Sequence, residues 1–511
     1  MSRAGCSLTL AVSRPARLVA TVAAAAFLAA SGALVAAPAR PQNGADLLQR
    51  GVDLLAAGRT AEAVELLERA AALLPEDPRT HYQLGRALFS AGRPADAVAP
   101  LEAALEAGAE PGPVHFLLGQ VSLETGDLEI ARASLEAAAA SRPGYPPIEF
   151  YRAELCYRLG RVPAARERFA ALTIAAPDWP APVVRSGSLA LEQGDAAAAV
   201  VWFRTAAEIT PEQAAAWIRL GAAMVENEQP YEALAAYRRA AQAEPGNLVA
   251  LVAVAIQLVN LDEPDEAMDA LDAVLALNPN DGAIRYHRAR MMARAGNAEQ
   301  AFAEIEAALQ DLRGAVAAAA GDSQGAQTLA EALLFRAELL QQEGREDEAI
   351  EVAQALLAEQ PDNPEALFLL GNILLRRDRS GAAMLARFKQ LSDAREHREL
   401  ADHFRLRQRD PERARAEYEI ALRSDPDDAG SWLGLGAALR QTGAAEDAVE
   451  ALTRARGAGA GGAEWHREWI LGLFSAGRGT EARAAWEESR ARGLTLGPEV
   501  WALIYATAEG C

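Results

Sequence analysis

Lysine is nearly missing from this chain of 511 residues: Lys389 stands alone, and every other basic side chain apart from the histidines is arginine. A phosphate-binding loop of the GK[ST] kind needs lysine before serine or threonine, and Lys389 sits in FKQ, so that chemistry is excluded. Positive charge is short overall, with 50 Lys and Arg against 71 Asp and Glu and a formal net charge of -21. A general nucleic-acid binder needs a basic face to neutralise phosphates, and this balance argues against one. Cysteine is scarce. Cys6, Cys156 and Cys511 form no CxxC pair and no disulfide framework, and Cys156, inside a helical pattern, reads as a small buried apolar residue. Alternating strand patterns are missing, and with them any GxGxxG following a strand; no GxSxG elbow occurs either. His397 and His403 are six apart, on different faces of a helix, and do not make the i,i+4 pair of a helical metal site. Nothing in this inventory calls for a cofactor or a metal, and the chain reads as a non-enzyme.

The N-terminus reads as an address. Arg3, Arg14 and Arg17 precede the uncharged run Leu18–Ala37, and Ala37 and Ala39 give the small-x-small spacing of a signal-peptidase site. Residues 1–39 are therefore expected to be either a cleaved export signal or a retained membrane anchor, since the run is just long enough to span a bilayer. Both readings put the rest of the chain outside the cytoplasm, periplasmic or anchored in the inner membrane.

What the chain has in abundance is a pattern with a period of 34 residues. Trp217, Gly221, Ala233, Tyr237, Ala240 and Pro245 align one step back with Val183, Gly187, Ala199, Phe203, Ala206 and Pro211, and one step forward with Leu251, Ala255, Ala267, Leu271, Val274 and Pro279. The register holds from Gly44 to Ala315, eight units without a slip. Each unit reads as two helices with apolar residues three and four apart. Between them lies Gly-Arg, Gly-Asp or Gly-Asn, as at Gly160-Arg161 and Gly194-Asp195, where glycine ends the first helix in the left-handed conformation. Proline closes the unit because it cannot continue the second helix. Small residues such as Gly221 and Ala233 let the two helices approach, and Tyr237 fills the space beside them. His81, His115 and His466 fall at the Trp217 position and read as packing residues.

In these residues, and in second helices such as AEAVELLERAAALLPEDP, the chain resembles the tetratricopeptide repeat (TPR) family, of an exported bacterial type. The resemblance implies an all-α solenoid of about thirteen helical hairpins in a right-handed superhelix. It also implies that first helices line a concave surface that holds a partner protein or peptide. The residues at that inward phase are Tyr82, Arg86 and Phe89; Phe116, Gln120 and Leu123; and Phe150, Glu154 and Tyr157. A second, weaker cluster comprises Tyr286, Arg290 and Arg294, with Phe368 and Asn372 further on. The same phase also packs successive first helices together, so some of these aromatics can equally be core. The family's carboxylate clamp uses lysine and asparagine inward, and apart from Asn372 those residues are missing.

Two regions break the phase. After Leu312 an insertion, 316–329, shifts the register, which resumes at Ala330; it reads as a prolonged helix and a loop, or as a bend between two segments. Five further units are expected over 330–496, irregular around 376–415, with 364–394 short and the unit from 395 carrying Arg398 and Asp402 where an apolar and a small residue belong. This is the one basic stretch, with eleven Arg and one Lys against seven acids between Arg376 and Arg415. It reads as a solvated face laced with ion pairs, or as a surface for an acidic partner or anionic polymer. Residues 497–511 are expected to cap the stack. The function implied is a non-catalytic scaffold that binds a protein or peptide in its groove, the alternative being a structural part of an envelope or polysaccharide-export machine.

Overall fold

The computed structural model describes residues 43–319, 323–494 and 496–504. The N-terminal segment 1–39 therefore lies outside the described residues, as does the end of the expected capping segment. Twenty-six α-helices and one π-helical segment occur among the described residues, with no strand, as the all-α expectation required. None of the described helices is long and apolar enough to cross a membrane. The chain divides into two compact units between Leu155 and Cys156, within the helix Pro146–Arg158. Each unit is a succession of helical hairpins. Second helices begin at Thr60, Pro94, Leu128, Val162, Ala196, Pro230, Pro264 and Ala298, at the 34-residue step.

Each hairpin is held by one close approach. A β-carbon on Gly221 would lie 2.5 Å from the Tyr237 ring, and one on Gly85 would lie 2.6 Å from Leu101. In both cases the small and the large residue are sixteen apart, so at these two points the first helix meets the second where it carries no side chain. Ala233, Tyr237 and Ala240 are all buried, with relative exposure of 0–6%.

The joint between hairpins is polar and equally regular. Two residues after the closing proline comes the cap of the next helix: Asp77 accepts from the Arg79 N–H, Asn247 from Ala250, Asp281 from Ile284 and Asn363 from Ala366. Such a side chain satisfies a backbone donor that the helix itself leaves unpaired. Six residues after the proline, a ring or guanidinium N–H reaches back to the proline carbonyl: His81 to Pro75 (2.8 Å), Trp217 to Pro211 (2.9 Å), Arg285 to Pro279 (2.9 Å) and Trp432 to Pro426 (2.7 Å). The position read as packing therefore also carries a hydrogen bond at these four places. His466 differs, pairing through Nδ1 with the Gly462 carbonyl of its own helix. Cys156 is buried, as its place in the helical pattern predicts, and is disulfide-bonded, which that pattern does not predict.

The irregular regions resolve into longer helices. Insertion residues extend the two helices that flank them, Ala298–Ala318 and Ser323–Gln342. Further on, the short unit and its poorly formed successor are not separate. One helix, Ala382–Asp402, packs against both Pro364–Arg377 and Pro411–Ser424 and runs directly into the π-helical turn His403–Gln408. No proline or glycine lies between Ala382 and Asp410 to break it. Asp402 stands sixteen residues before Tyr418, where most other hairpins have a small residue. The fully buried Tyr418 hydroxyl donates to it at 2.5 Å and accepts from Arg405 Nε at 3.1 Å. At the far end, the helix Pro498–Ile504 lays Trp501 edge-on against Trp486, with centroids 5.8 Å apart.

Gly221→Leu is expected to destabilise the fold by about 1–3 kcal/mol through overpacking, read as a lower urea midpoint; an unchanged midpoint would refute the close-approach account. The inter-helix glycine that takes positive φ at Gly194 and Gly296 (74° and 79°) is replaced by Glu228 at 58°. Glu228→Gly should therefore stabilise by roughly 0.5–1 kcal/mol, and a loss of stability would show that the glutamate side chain holds that turn.

Candidate functional site

The face expected to bind is partly assembled in the first unit. Tyr82, Arg86 and Phe89 follow one another at four and three residues on the helix Pro78–Ser90, and Phe116 and Gln120 at four on Pro111–Thr125. That spacing puts each set on one helix face. The five side chains line one open groove of about 330 Å³. Its far wall was not anticipated: Arg142 and Tyr145, from the turn after the helix Leu128–Ser141, and the buried Ile148. Tyr82 and Phe89 are half-buried, their inner edges packed on the core that includes Leu84 and Leu88. They are core and groove wall at once.

Among the described residues, no carboxylate lines this groove. Arg86 donates to Gln83 Oε1 at 3.2 Å, and the Arg142 guanidinium lies 4.8 Å from the Tyr145 ring centroid.

Other expected residues sit elsewhere. Phe150 and Glu154 do not line the cavity. Phe150 meets Tyr151 edge-on at 5.5 Å, and Tyr151 meets Phe116 edge-on at 5.6 Å, so Tyr151 links the two phenylalanines. The phase argument missed Tyr151 because it sits one residue from the inward position. Burial raises its phenol, with Glu124 and Glu154 adding to the effect. Leu123 is buried, at 5% exposure. Tyr157 belongs to the second unit. Its hydroxyl donates to Glu192 at 2.7 Å, and Arg185, which pairs with Glu192 at 3.2 Å, lies 4.3 Å from its ring centroid. These internal bonds occupy its polar edge.

The weaker cluster divides. Tyr286 is a core residue, edge-on to Phe335 at 6.0 Å; Arg290 lies over its ring, and Arg294 pairs with Asp262. Phe368 and Asn372 do line a groove in the second unit, of about 580 Å³, with Phe388 4.8 Å from Phe368 and with Gln341, Gln342 and Glu338. The Glu338 carboxyl is pushed up by the surrounding protein, against the opposing pull of Arg290.

The basic stretch is mostly paired. Arg377 meets Asp347, Arg387 meets Asp362 and Asp425, Arg398 meets Asp428, and Arg405 is enclosed with Asp402 and Tyr418. Arg395, Arg413 and Arg415 pair with acids as well.

Sequence models of the tetratricopeptide repeat match residues 54–121, 122–183, 224–291, 330–373 and 405–463, more than half of the chain. The chain belongs to the tetratricopeptide repeat family. Several solved structures are similar to this TPR protein. YrrB, a TPR protein with an unusual peptide-binding site, is 20% identical over 39% of this chain and 96% of its own, with a TM-score of 0.32. Naa15/Naa10 bound to HypK-THB is 14% identical over 86% of this chain and 67% of its own, at 0.30. MamA 41-end from Desulfovibrio magneticus RS-1 is 19% identical over 34% and 97%, at 0.29. No curated protein matches the sequence of this TPR protein.

His287, next to Tyr286, has a buried Nδ1 without a hydrogen-bond partner, and its imidazole is pushed down to about 4, first by burial and then by Arg290. The unfolded chain, with histidine near 6.5, therefore binds more protons between those values. Its contribution to stability is complete above pH 6.5 and is lost as pH falls toward 4. Between pH 7 and pH 4.5 the parent should lose about 2 kcal/mol more stability than His287→Leu, measured by urea unfolding at both pH values; equal losses would show that His287 is not the linked group.

Proposed function

We propose that this chain is a non-catalytic protein-interaction scaffold that holds a segment of a partner protein in the groove of its first unit. The convergence of Tyr82, Arg86, Phe89, Phe116 and Gln120 on one open cavity carries this reading. Tyrosine and arginine are the residues on which binding energy concentrates. Here they stand on helices whose spacing is fixed by close packing, so the scaffold has little order to gain on binding and little entropy to lose. Fold alone assigns no activity, but TPR hairpins are generally interaction scaffolds, and the groove offers surface rather than a reacting group. On the N-terminal pattern of arginines before Leu18–Ala37, the scaffold works outside the cytoplasm, released by cleavage or held by that segment.

In the alternative of an envelope or polysaccharide-export machine, the basic stretch is the surface that would meet an anionic polymer. Seven of its eleven arginines have acidic partners, so it presents much less free positive charge than its composition suggests.

The test is capture from an envelope extract by the parent and by Tyr82→Ala combined with Phe116→Ala. The double variant should keep its helical circular dichroism and lose at least one specifically captured protein by about tenfold or more, as hot-spot truncation implies. An identical set of captured proteins with both baits would remove the groove from the proposal.

A further inference from the structure

Among the described residues, the charged side chains lining the groove are of one sign. Across the described surface, arginines are commonly matched: Arg59 with Glu62, Arg345 with Glu348, Arg478 with Glu481, and the pairs of the 376–415 stretch. Arg86 and Arg142 are both exposed, and neither forms an ion pair among the described residues. Both line the same cavity, and among the described residues no acid lines it with them. Two guanidiniums without an ion pair among the described residues therefore line one open groove, in a protein with a net charge of -21.

The two are also partly pre-set. Gln83 takes one N–H of Arg86, and the Tyr145 ring lies under Arg142. A guanidinium carries five donors in a planar fork, so most remain for a carboxylate, which it can grip through two parallel bonds. Between them, the half-buried Phe116 and Tyr82, with buried Leu117 and Ile148 beneath, form an apolar floor. Gln120 adds an amide able to donate to and accept from a peptide backbone. The volume suits a few side chains, not a folded domain.

We propose that this groove recognises a short acidic segment of a partner protein, in which aspartate or glutamate flanks an aromatic or branched apolar residue. The carboxylates meet Arg86 and Arg142, and the apolar side chain covers Phe116 and Tyr82. This rests on the groove being the binding site, as proposed above. A long polyanion is a poor fit, because the same net negative charge repels it everywhere outside the groove. A segment with only a few carboxylates avoids that penalty.

The experiment uses the full chain and three fluorescent peptides sharing a Leu-Phe centre, flanked on both sides by Glu, by Gln or by Lys, followed by fluorescence anisotropy. The Glu peptide should bind about five- to tenfold more tightly than the Gln peptide, with the advantage shrinking as salt rises. Arg86→Gln with Arg142→Gln should bring the Glu and Gln peptides to the same affinity, and Tyr82→Ala with Phe116→Ala should weaken both. Equal binding of Glu and Gln peptides by the parent, lost in the aromatic variant, would overturn the acidic specificity while leaving the groove in place. Preference for the Lys peptide, or no peptide binding while protein capture still depends on Tyr82 and Phe116, would do the same. Glu-peptide binding untouched by either double variant would overturn both the specificity and the site.

Discussion

Where Gly221 faces Tyr237, two helices approach so closely that a single added carbon would collide with the ring. That contact fixes the spacing of the hairpin, and the spacing fixes everything laid on it. Gly51 with Leu67, Gly119 with Leu135, Gly187 with Phe203 and Gly436 with Leu452 repeat it, always sixteen residues apart. The asparagine or aspartate cap and the proline-carbonyl hydrogen bond then set how one hairpin follows the last. Because these joints recur at a fixed interval, side chains at one helical phase line up from hairpin to hairpin. Tyr82 and Phe116, 34 residues apart, come to line one groove for this reason.

This explains which parts were readable in advance. Close packing leaves a compositional trace, since a glycine and a large residue at a set distance can be counted. The helical hairpins from Gly44 onward, and five side chains of the groove, follow from that trace. Contacts that depend on a turn or on a neighbouring helix leave none. Arg142 and Tyr145 reach the groove from a loop whose path no helical period describes. Tyr151 bridges two phenylalanines from an adjacent phase, and Tyr286, at the inward phase, turns into the core against Phe335. Phase says which face a residue occupies, but whether that face is covered depends on the next hairpin.

Charge was the least legible property. A run rich in arginine looks basic on paper, yet some of its arginines meet acids remote in sequence, Asp347 being 30 residues from Arg377 and Asp425 38 from Arg387, while Arg395, Arg405, Arg413 and Arg415 pair within one helical turn. Folding pairs seven of the eleven arginines of that run with acids and sets the quieter pair, Arg86 and Arg142, in a groove with no acid among its described lining residues. Local composition and local field thus point to different places, and the field decides what a ligand meets.

The helix Ala382–Asp402 has a mechanical consequence. A stack of modules that touch only their neighbours normally yields one hairpin at a time, at the loops between them. Here the closing rod of one hairpin is the opening rod of the next, with no seam between. Tension applied along the second unit peels other hairpins singly, but from Pro364 to Ser424 three rods must let go together. That stretch is a splice in the chain, and it gives the unit one point of indivisible resistance.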